Sequence, residues 1–298
     1  MKQATIDAIE QLRLYFAPLP TRQGILARKA LGQPGPDDET LSQDLTRRML
    51  AEIGPDGSVP GGVVATVWRA HELLDLGCAS DDPLLRRLMG WLVDLQRKRG
   101  SFSQGCTPAR HSYRACEHFI SGFFSPGVPE QRIAPVMLPN GKVFRAEPAA
   151  RFAISCLALR AALRAGFAPR QKVEQHTLSL VQLQPQWGDW RGYFAPDVIV
   201  AGVHALAFAS NSHRQMVPRL GIGIVSNQAE DGTWPNADLF HTIDALLSVR
   251  SGDALAAIRR AIPVLLGRQR TDGSFGSTAQ QERSLIALRA LIWAEQEG

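Results

Sequence analysis

The chain lacks long apolar runs. None approaches the ~20 residues that a membrane-spanning helix needs, so no transmembrane helix is expected. The N-terminal stretch from Met1 to Phe16 alternates charged and apolar residues, without the apolar core and cleavage site of a secretory signal. Runs of strict β-alternation are missing too, which points to an all-α class. Lysine is scarce, and arginine supplies most of the +5 net charge behind a pI of about 9.3. The arginines are scattered, as in Arg47-Arg48, Arg86-Arg87 and Arg259-Arg260, and are not interleaved with aromatics, so nucleic acid is not an expected partner. Such a spread suits a solvated outer surface, and also contact with anionic headgroups or a diphosphate. The four cysteines, Cys78, Cys106, Cys116 and Cys156, form no CxxC pair, and no disulfide framework is expected. Cys78 and Cys156 fall in apolar stretches that read as core. Cys106, His111, Cys116 and His118 lie close together, but their spacing matches no standard zinc pattern.

What the chain does have is a glycine turn that returns six times. The copies are Gly57-Ser58-Val59, Gly100-Ser101-Phe102, Gly141-Lys142-Val143-Phe144, Gly188-Asp189-Trp190, Gly232-Thr233-Trp234 and Gly273-Ser274-Phe275. A period of ~41 to ~47 residues signals stacked supersecondary units. Helical stretches flank most turns, so the unit is a helix, a turn and a second helix. Six such pairs predict an α/α toroid in one domain spanning 1–298, with an N-terminal helix and loop over 1–40 and the repeats over 41–298. Expected pairs are 41–52 with 62–76, 83–98 with 109–123, and an irregular segment with 148–165. The rest are 169–184 with 196–210, 218–228 with 235–250, and 253–270 with 278–296. Pro148, Pro196 and Pro235 mark starts of second helices, since proline suits a first helical turn. Second helices are the more apolar of each pair and are expected to form the inner ring.

Three segments carry a family resemblance. Gln96 to Phe102, Gln228 to Trp234 and Gln269 to Phe275 resemble the Gln-to-Trp repeats of squalene and hopene cyclases, and equally those of protein prenyltransferase β subunits. Gln281 to Leu288 resembles the closing helix of such cyclases. The resemblance runs from about residue 41 onward. It implies a toroid whose apolar pocket accepts an isoprenoid, in a fold that hosts different chemistries.

The catalytic motifs of that superfamily are incomplete here. Protonating cyclases carry an Asp-x-Asp-Asp motif at the start of an inner helix, whose middle Asp is the acid. The matching stretch, Asp197-Val198-Ile199-Val200, keeps only its first Asp, and Ile199 cannot donate a proton. Asp197 remains a candidate acid, or an acid that complements the helix dipole. In the prenyltransferases a zinc site is implied. His241, in Asp238-Leu239-Phe240-His241-Thr242, matches its histidine, but Ala201 and Val203 stand at the other ligand positions. One histidine cannot make a three-ligand site, so neither zinc nor another cofactor is expected. His204 falls near a diphosphate-binding position of that family, or is a core histidine. No run of closely spaced Asp marks a diphosphate–magnesium site, since Asp37-Asp38 and Asp81-Asp82 read as loop residues.

Offsets from the turns place Trp68, Tyr113, Phe152, His204, Phe240 and His241 on the cavity wall. Asp197 and Asp238 then stand near the rim, with Arg110, Arg114, Arg151 and Arg191. Asp238 and His241 lie three apart, so one helical face can present both. An Asp that holds the imidazole would raise its pKa and make His241 an acid; otherwise Asp238 caps the helix and His241 packs in the core. The leading expectation is a divergent terpenoid cyclase working by acid catalysis on an apolar or prenylated small molecule. The alternatives are a binding toroid that has lost the chemistry, and a glycosidase-like barrel with opposed carboxylates among Asp189, Asp197 and Asp238. Aromatics at 7% supply few π faces for a carbocation, which weighs against the first. The expected location is cytoplasmic, free or resting on a membrane surface.

Overall fold

The structure is a computed structural model that describes residues 2–95, 133–191, 194–217 and 219–296. Among these, the chain is helical apart from one small hairpin. Outer helices α1 (Lys2–Phe16), α3 (Asp38–Ala51), α5 (Pro83–Asp94), α7 (Gln171–Leu183), α10 (Ile222–Val225) and α12 (Gly252–Leu266) alternate with inner ones. The inner helices are α2 (Arg22–Ala30), α4 (Gly62–Asp75), α6 (Glu147–Arg164), α8 (Pro196–Leu206), α11 (Leu239–Val249) and α13 (Gln280–Gln296). A short α9 (Asn211–Gln215) bridges α8 and α10.

The inner helices close a ring. Contacts run from α2 to α4, α6, α8, α11, α13 and back to α2. Composition explains which helices go inside: every residue of α8 is buried, and α6 is buried nearly all round, as a helix without a polar face must be. The inner helices run parallel. Their starts meet where Asp238 accepts a hydrogen bond from Arg283, and their ends where Asp75 accepts one from Arg164.

Among the described residues the toroid has six helix pairs, but they are partitioned differently from the sequence expectation. Residues 1–40 hold a complete pair: Thr21 caps α2 by accepting from the Gly24 amide at 3.2 Å. Outer α5 packs on α4 and α6, so it pairs with α6 across the intervening segment. The Gly141 copy of the turn is the tip of a hairpin, with β1 (Val136–Met137) antiparallel to β2 (Val143–Phe144) and Val136 opposite Phe144. The fifth outer element is also shorter than expected, four residues from Ile222. Helix α11 starts at Leu239 rather than Pro235, whose carbonyl instead accepts from the Trp190 indole at 2.6 Å. Cys156 is buried as expected, whereas Cys78 follows α4 half-exposed. The Gly100 turn, Cys106, His111, Tyr113 and residues 109–123 lie outside the described residues.

Three of the turns share one chemistry. Asp56, Asp231 and Asp272 each accept from the amide and hydroxyl of the Ser or Thr two residues on, at 2.5 to 3.1 Å. Gln228 ties its turn to the next outer helix, donating to Gly232 O at 2.9 Å and to Ala257 O of α12 at 2.8 Å. Gln269 does the same to Gly273 O and to Ala8 O of α1. Among the described residues no helix is long and apolar enough to cross a membrane.

The glycines of these turns are needed twice over. Gly232 has φ +86°, and a Cβ there would lie 2.2 Å from Arg260 O of α12. Gly77 has a similar φ of +82° but nothing within 4 Å. Gly77→Ala should therefore cost about 1–2 kcal/mol, the usual left-handed penalty. Gly232→Ala should exceed that by at least about 1 kcal/mol, because backbone must move. Urea unfolding of both variants checks this, and equal losses would contradict the docking of turn on helix.

Candidate functional site

The rim is built where α8, α11 and α13 begin. Asp197, in the first turn of α8, accepts from the Asp238 amide at 2.9 Å through Oδ1 and pairs with Lys142 through Oδ2. Asp238 caps α11: its Oδ1 accepts from the His241 amide at 3.0 Å, and its Oδ2 accepts from Arg283 at 3.0 Å. Arg283 also donates to Asn140 O at 2.9 Å and lies 4.9 Å above the Phe240 ring. The hairpin tip thus sits over the mouth, held from two sides.

The expectation that Asp238 holds the imidazole of His241 is not met. The carboxylate binds the backbone amide and a guanidinium. The ring instead has Asn140 Nδ2 at 3.0 Å from Nδ1, and the carbonyl of Asp197 at 3.3 Å from Nε2. This network assigns the proton to Nε2 and leaves Nδ1 as acceptor. Burial lowers the His241 pKa, against the pull of Asp197 and Asp238, so the sign of the expected shift is reversed.

Below the rim lies a central cavity of about 40 Å³. Its polar wall is Asn140, Arg160, His204, His241, Asp244 and Glu282. Arg160 Nη1 approaches His204 Nδ1 at 2.8 Å, and Ser248 Oγ lies 3.0 Å from His204 Nε2. Asp244 Oδ2 stands 3.8 Å from His204 Nδ1, and its side chain keeps 24% of its surface exposed. Burial pushes the Asp244 carboxyl up to about 6, although Arg160 opposes the shift. Burial, then Arg160, hold His204 well below its ordinary value, so its imidazole is neutral.

Two larger spaces share this wall. A chamber of about 210 Å³ meets it at Pro139, Arg160 and Glu282, and reaches Trp68, His71 and Asp75. There Arg22 pairs with Asp75 and Glu282, tying α2 to α4 and α13. Arg164 pairs with Asp75 at 2.6 Å. His71 Nε2 meets Leu157 O at 2.8 Å and Arg164 lies 3.1 Å from Nδ1, while burial depresses its pKa strongly. A space of about 610 Å³ at the opposite end meets the wall at Asp244 and is lined by Phe208, Arg289 and Trp293 among others.

Of the residues expected in the site, His204 and His241 line the central cavity and Trp68 the chamber. Asp197 and Asp238 stand at the rim, each held by a cation. Phe152, Phe240 and Arg151 line none of these spaces. Phe152 packs on Phe194, Phe240 on Phe275, and Arg151 pairs with Glu147 at 2.6 Å. Tyr113, Arg110 and Arg114 lie outside the described residues, and no group of three His, Cys, Asp or Glu placed for a metal occurs among the described ones. Arg160, Asp244, Glu282 and the hairpin residues Asn140 and Lys142 were missed. A signal existed for one of them: Asp244 is the one acidic residue within the otherwise largely apolar α11.

Comparison with known proteins bears on the fold. No family model and no curated protein matches the chain. Solved structures do. Apo type II terpene cyclase MstE from Scytonema superposes with a TM-score of 0.59 at 15% identity, covering 99% of both chains. An arginine-to-alanine variant of MstE, in complex with its substrate geranylgeranyl dihydroxybenzoate, gives 0.59 at 13% identity over 99% of this chain and 98% of that one. A protein from Actinoplanes gives 0.57 at 16% identity, over 98% of this chain and 99% of that one. The fold is terpene cyclase-like. At such identity the likeness speaks for architecture and not for activity.

The histidines make a pH prediction. His71, His204 and His241 are depressed, and His176 is pushed down to about 3 by burial. All four are neutral in the fold at pH 6.5, whereas the unfolded chain protonates them near 6.5. Unfolding therefore takes up protons below that pH, and stability falls as pH drops. Asp244 works the other way, holding a proton in the fold between about 6 and the ordinary 3.8. One carboxyl against four imidazoles leaves a net loss. The urea midpoint should fall between pH 7.5 and 5.5, and a midpoint that rises would contradict the neutral imidazoles.

Proposed function

We propose that this protein is a terpenoid cyclase-like enzyme that protonates an apolar isoprenoid in the toroid cavity, with Asp244 as the acid. The observation that carries the reading is the Asp244 carboxyl: half-buried on the cavity wall and raised to about 6. A neutral carboxylic acid is a stronger proton donor than the other groups of that wall, whose imidazoles are already deprotonated. The O–H bond of Asp244 breaks, its proton adds to an alkene carbon, and the adjacent carbon becomes a cation. Attack of a second double bond would close a ring, and loss of a proton would end the sequence. Arg160 faces the carboxylate that forms and lowers the cost of leaving charge there.

The reading departs from the sequence expectation in its acid. Asp197, Asp238, His241 and His204 were the candidates; here Asp197 and Asp238 set the rim, and the two histidines are neutral partners of the wall. MstE, whose fold this chain shares, acts on a prenylated aromatic acid, which supports a prenylated ligand for this cavity too. Ligand pockets usually hold ~300 Å³ or more, so a substrate must use the adjoining spaces as well as the central 40 Å³.

Asp244→Asn should lose at least ~100-fold of turnover, as expected for removal of a general acid. In the wild type, kcat/KM should fall as pH rises through about 6, because the proton is lost there. Turnover of a prenylated acid, followed by mass spectrometry, tests both. Full activity in Asp244→Asn, with the fold intact, would remove this residue from the chemistry.

A further inference from the structure

The space of about 610 Å³ at the end opposite the hairpin is wide enough for a ligand, which usually needs ~300 Å³ or more. Two helix stripes line it. On α13, Arg289, Ile292 and Trp293 follow at i, i+3 and i+4, which puts them on one face. On α11, Asp244, Leu247 and Ser248 follow with the same spacing. Phe208, just beyond α8, adds a third wall. The middle of this space is therefore apolar, and Arg289 is the cation beside it. Arg289 is half-buried and makes no hydrogen bond or ion pair among the described residues. Its nitrogens nevertheless keep contact with open space, and so does the unbonded indole N–H of Trp293. Burial raises the Asp244 carboxyl, and Arg289 joins Arg160 in opposing that rise. Its charge is thus felt at the wall of the central cavity.

We infer that this space binds an anionic amphiphile, an apolar chain that ends in one carboxylate. Arg289 is the partner of the head, and Phe208, Leu247, Ile292 and Trp293 are the bed of the chain. An unpaired guanidinium at the edge of an apolar wall gains more from a charged acceptor than from a hydroxyl. The open Trp293 N–H is a second donor for the head. The head carries a single charge for two reasons. Helices α2 and α11 end at this mouth, where Ala30 and Arg250 line it, and helix C-termini carry partial negative charge that opposes a multiply charged group. Arg250 is exposed at the C-cap of α11 and there complements the dipole of its own helix, which leaves Arg289 to meet the ligand. Asp244 stands on the wall that this space shares with the central cavity, so a ligand held here lies beside it. The binding site rests on its own residues; only the statement that its ligand is the substrate rests on the cyclase reading above.

Calorimetric titration of the full chain with farnesoic acid, farnesol, farnesyl diphosphate and decanoic acid tests this. Farnesoic acid should bind at least about tenfold more tightly than farnesol. Arg289→Met should abolish that advantage and leave farnesol unchanged, whereas Arg289→Lys keeps the charge and should retain part of it. Leu247→Trp fills the apolar bed and should weaken acid and alcohol alike, by about tenfold. Thermal melting checks that each variant folds, and Ile292→Trp replaces Leu247→Trp if that one does not. Equal affinities for acid and alcohol would overturn the inference, as would tighter binding of the diphosphate than of the acid. An acid preference that survives in Arg289→Met would overturn it too. Decanoic acid separates the head from the chain. If it matches farnesoic acid and both depend on Arg289, the site stands and the isoprenoid reading loses its support. If farnesoic acid binds as expected but Asp244→Asn turns it over normally, the site stands and the assignment of the acid fails. If Asp244→Asn abolishes turnover while acid and alcohol bind equally, the acid stands and this site falls.

Discussion

The ring depends on one contact made three times among the described residues, the seating of the Gly57, Gly232 and Gly273 turns on the backbone of the next outer helix. A Cβ at Gly57 would reach Arg87 O of α5 at 2.6 Å, at Gly232 Arg260 O of α12 at 2.2 Å, and at Gly273 Gln11 O of α1 at 2.8 Å. No helix pair buries its apolar face alone, so each pair must find the next at a fixed distance. A bare glycine lets the backbones touch, and the preceding Gln locks the contact where it has a carbonyl to bond. The last turn meets the first helix, which closes the circle. Closure then reaches the interior: Arg22, on the helix that follows α1, bridges Asp75 of α4 and Glu282 of α13. The seam of the toroid is therefore part of the chamber wall.

Closing a ring around charged residues forces each of them to answer for its burial. Arg22 answers with two carboxylates. Asp244 answers by holding its proton up to about pH 6, and His71 and His204 by giving theirs up. Arg160 sits beside both histidines and disfavours their protonation, while making the carboxylate of Asp244 less costly. The same guanidinium thus separates the titration of its neighbours, and does so without a counter-ion of its own.

The turns were legible in the sequence because their chemistry is local. An Asp, a Gly with positive φ and a Ser or Thr fold into the same shape wherever they occur, and Gly232 and Gly273 are examples. Their one-to-one match with helix pairs does not hold: the Gly141 copy makes a hairpin, and the N-terminal pair turns through Leu19 to Thr21 without the motif. The rim acids were legible as helix-start residues, but not their partners. Spacing shows that Asp238 can meet residue 241; it does not show that the amide, three residues on in a helix's first turn, is a better-placed donor than the ring. Arg160 and Asp244 were passed over for a different reason. A charge on an inner helix acquires meaning only when the facing helices are known, and for Arg160 the facing His204 is 44 positions away.

The hairpin explains why the acid should lie inward. The resemblance to protonating cyclases implies an acid at the start of an inner helix, where Asp197 and Asp238 stand. Here the tip of the hairpin delivers Lys142 to Asp197 and Asn140 to His241, and Arg283 holds both that tip and Asp238. Each rim carboxylate is thereby given a cation. Asp244 is three residues further along α11 than His241, ~4.5 Å deeper at 1.5 Å per residue. At that depth no lysine reaches it and burial dominates. The element that covers the mouth is thus the one that engages the rim acids, and the first carboxyl below it on α11 is the one raised to about 6.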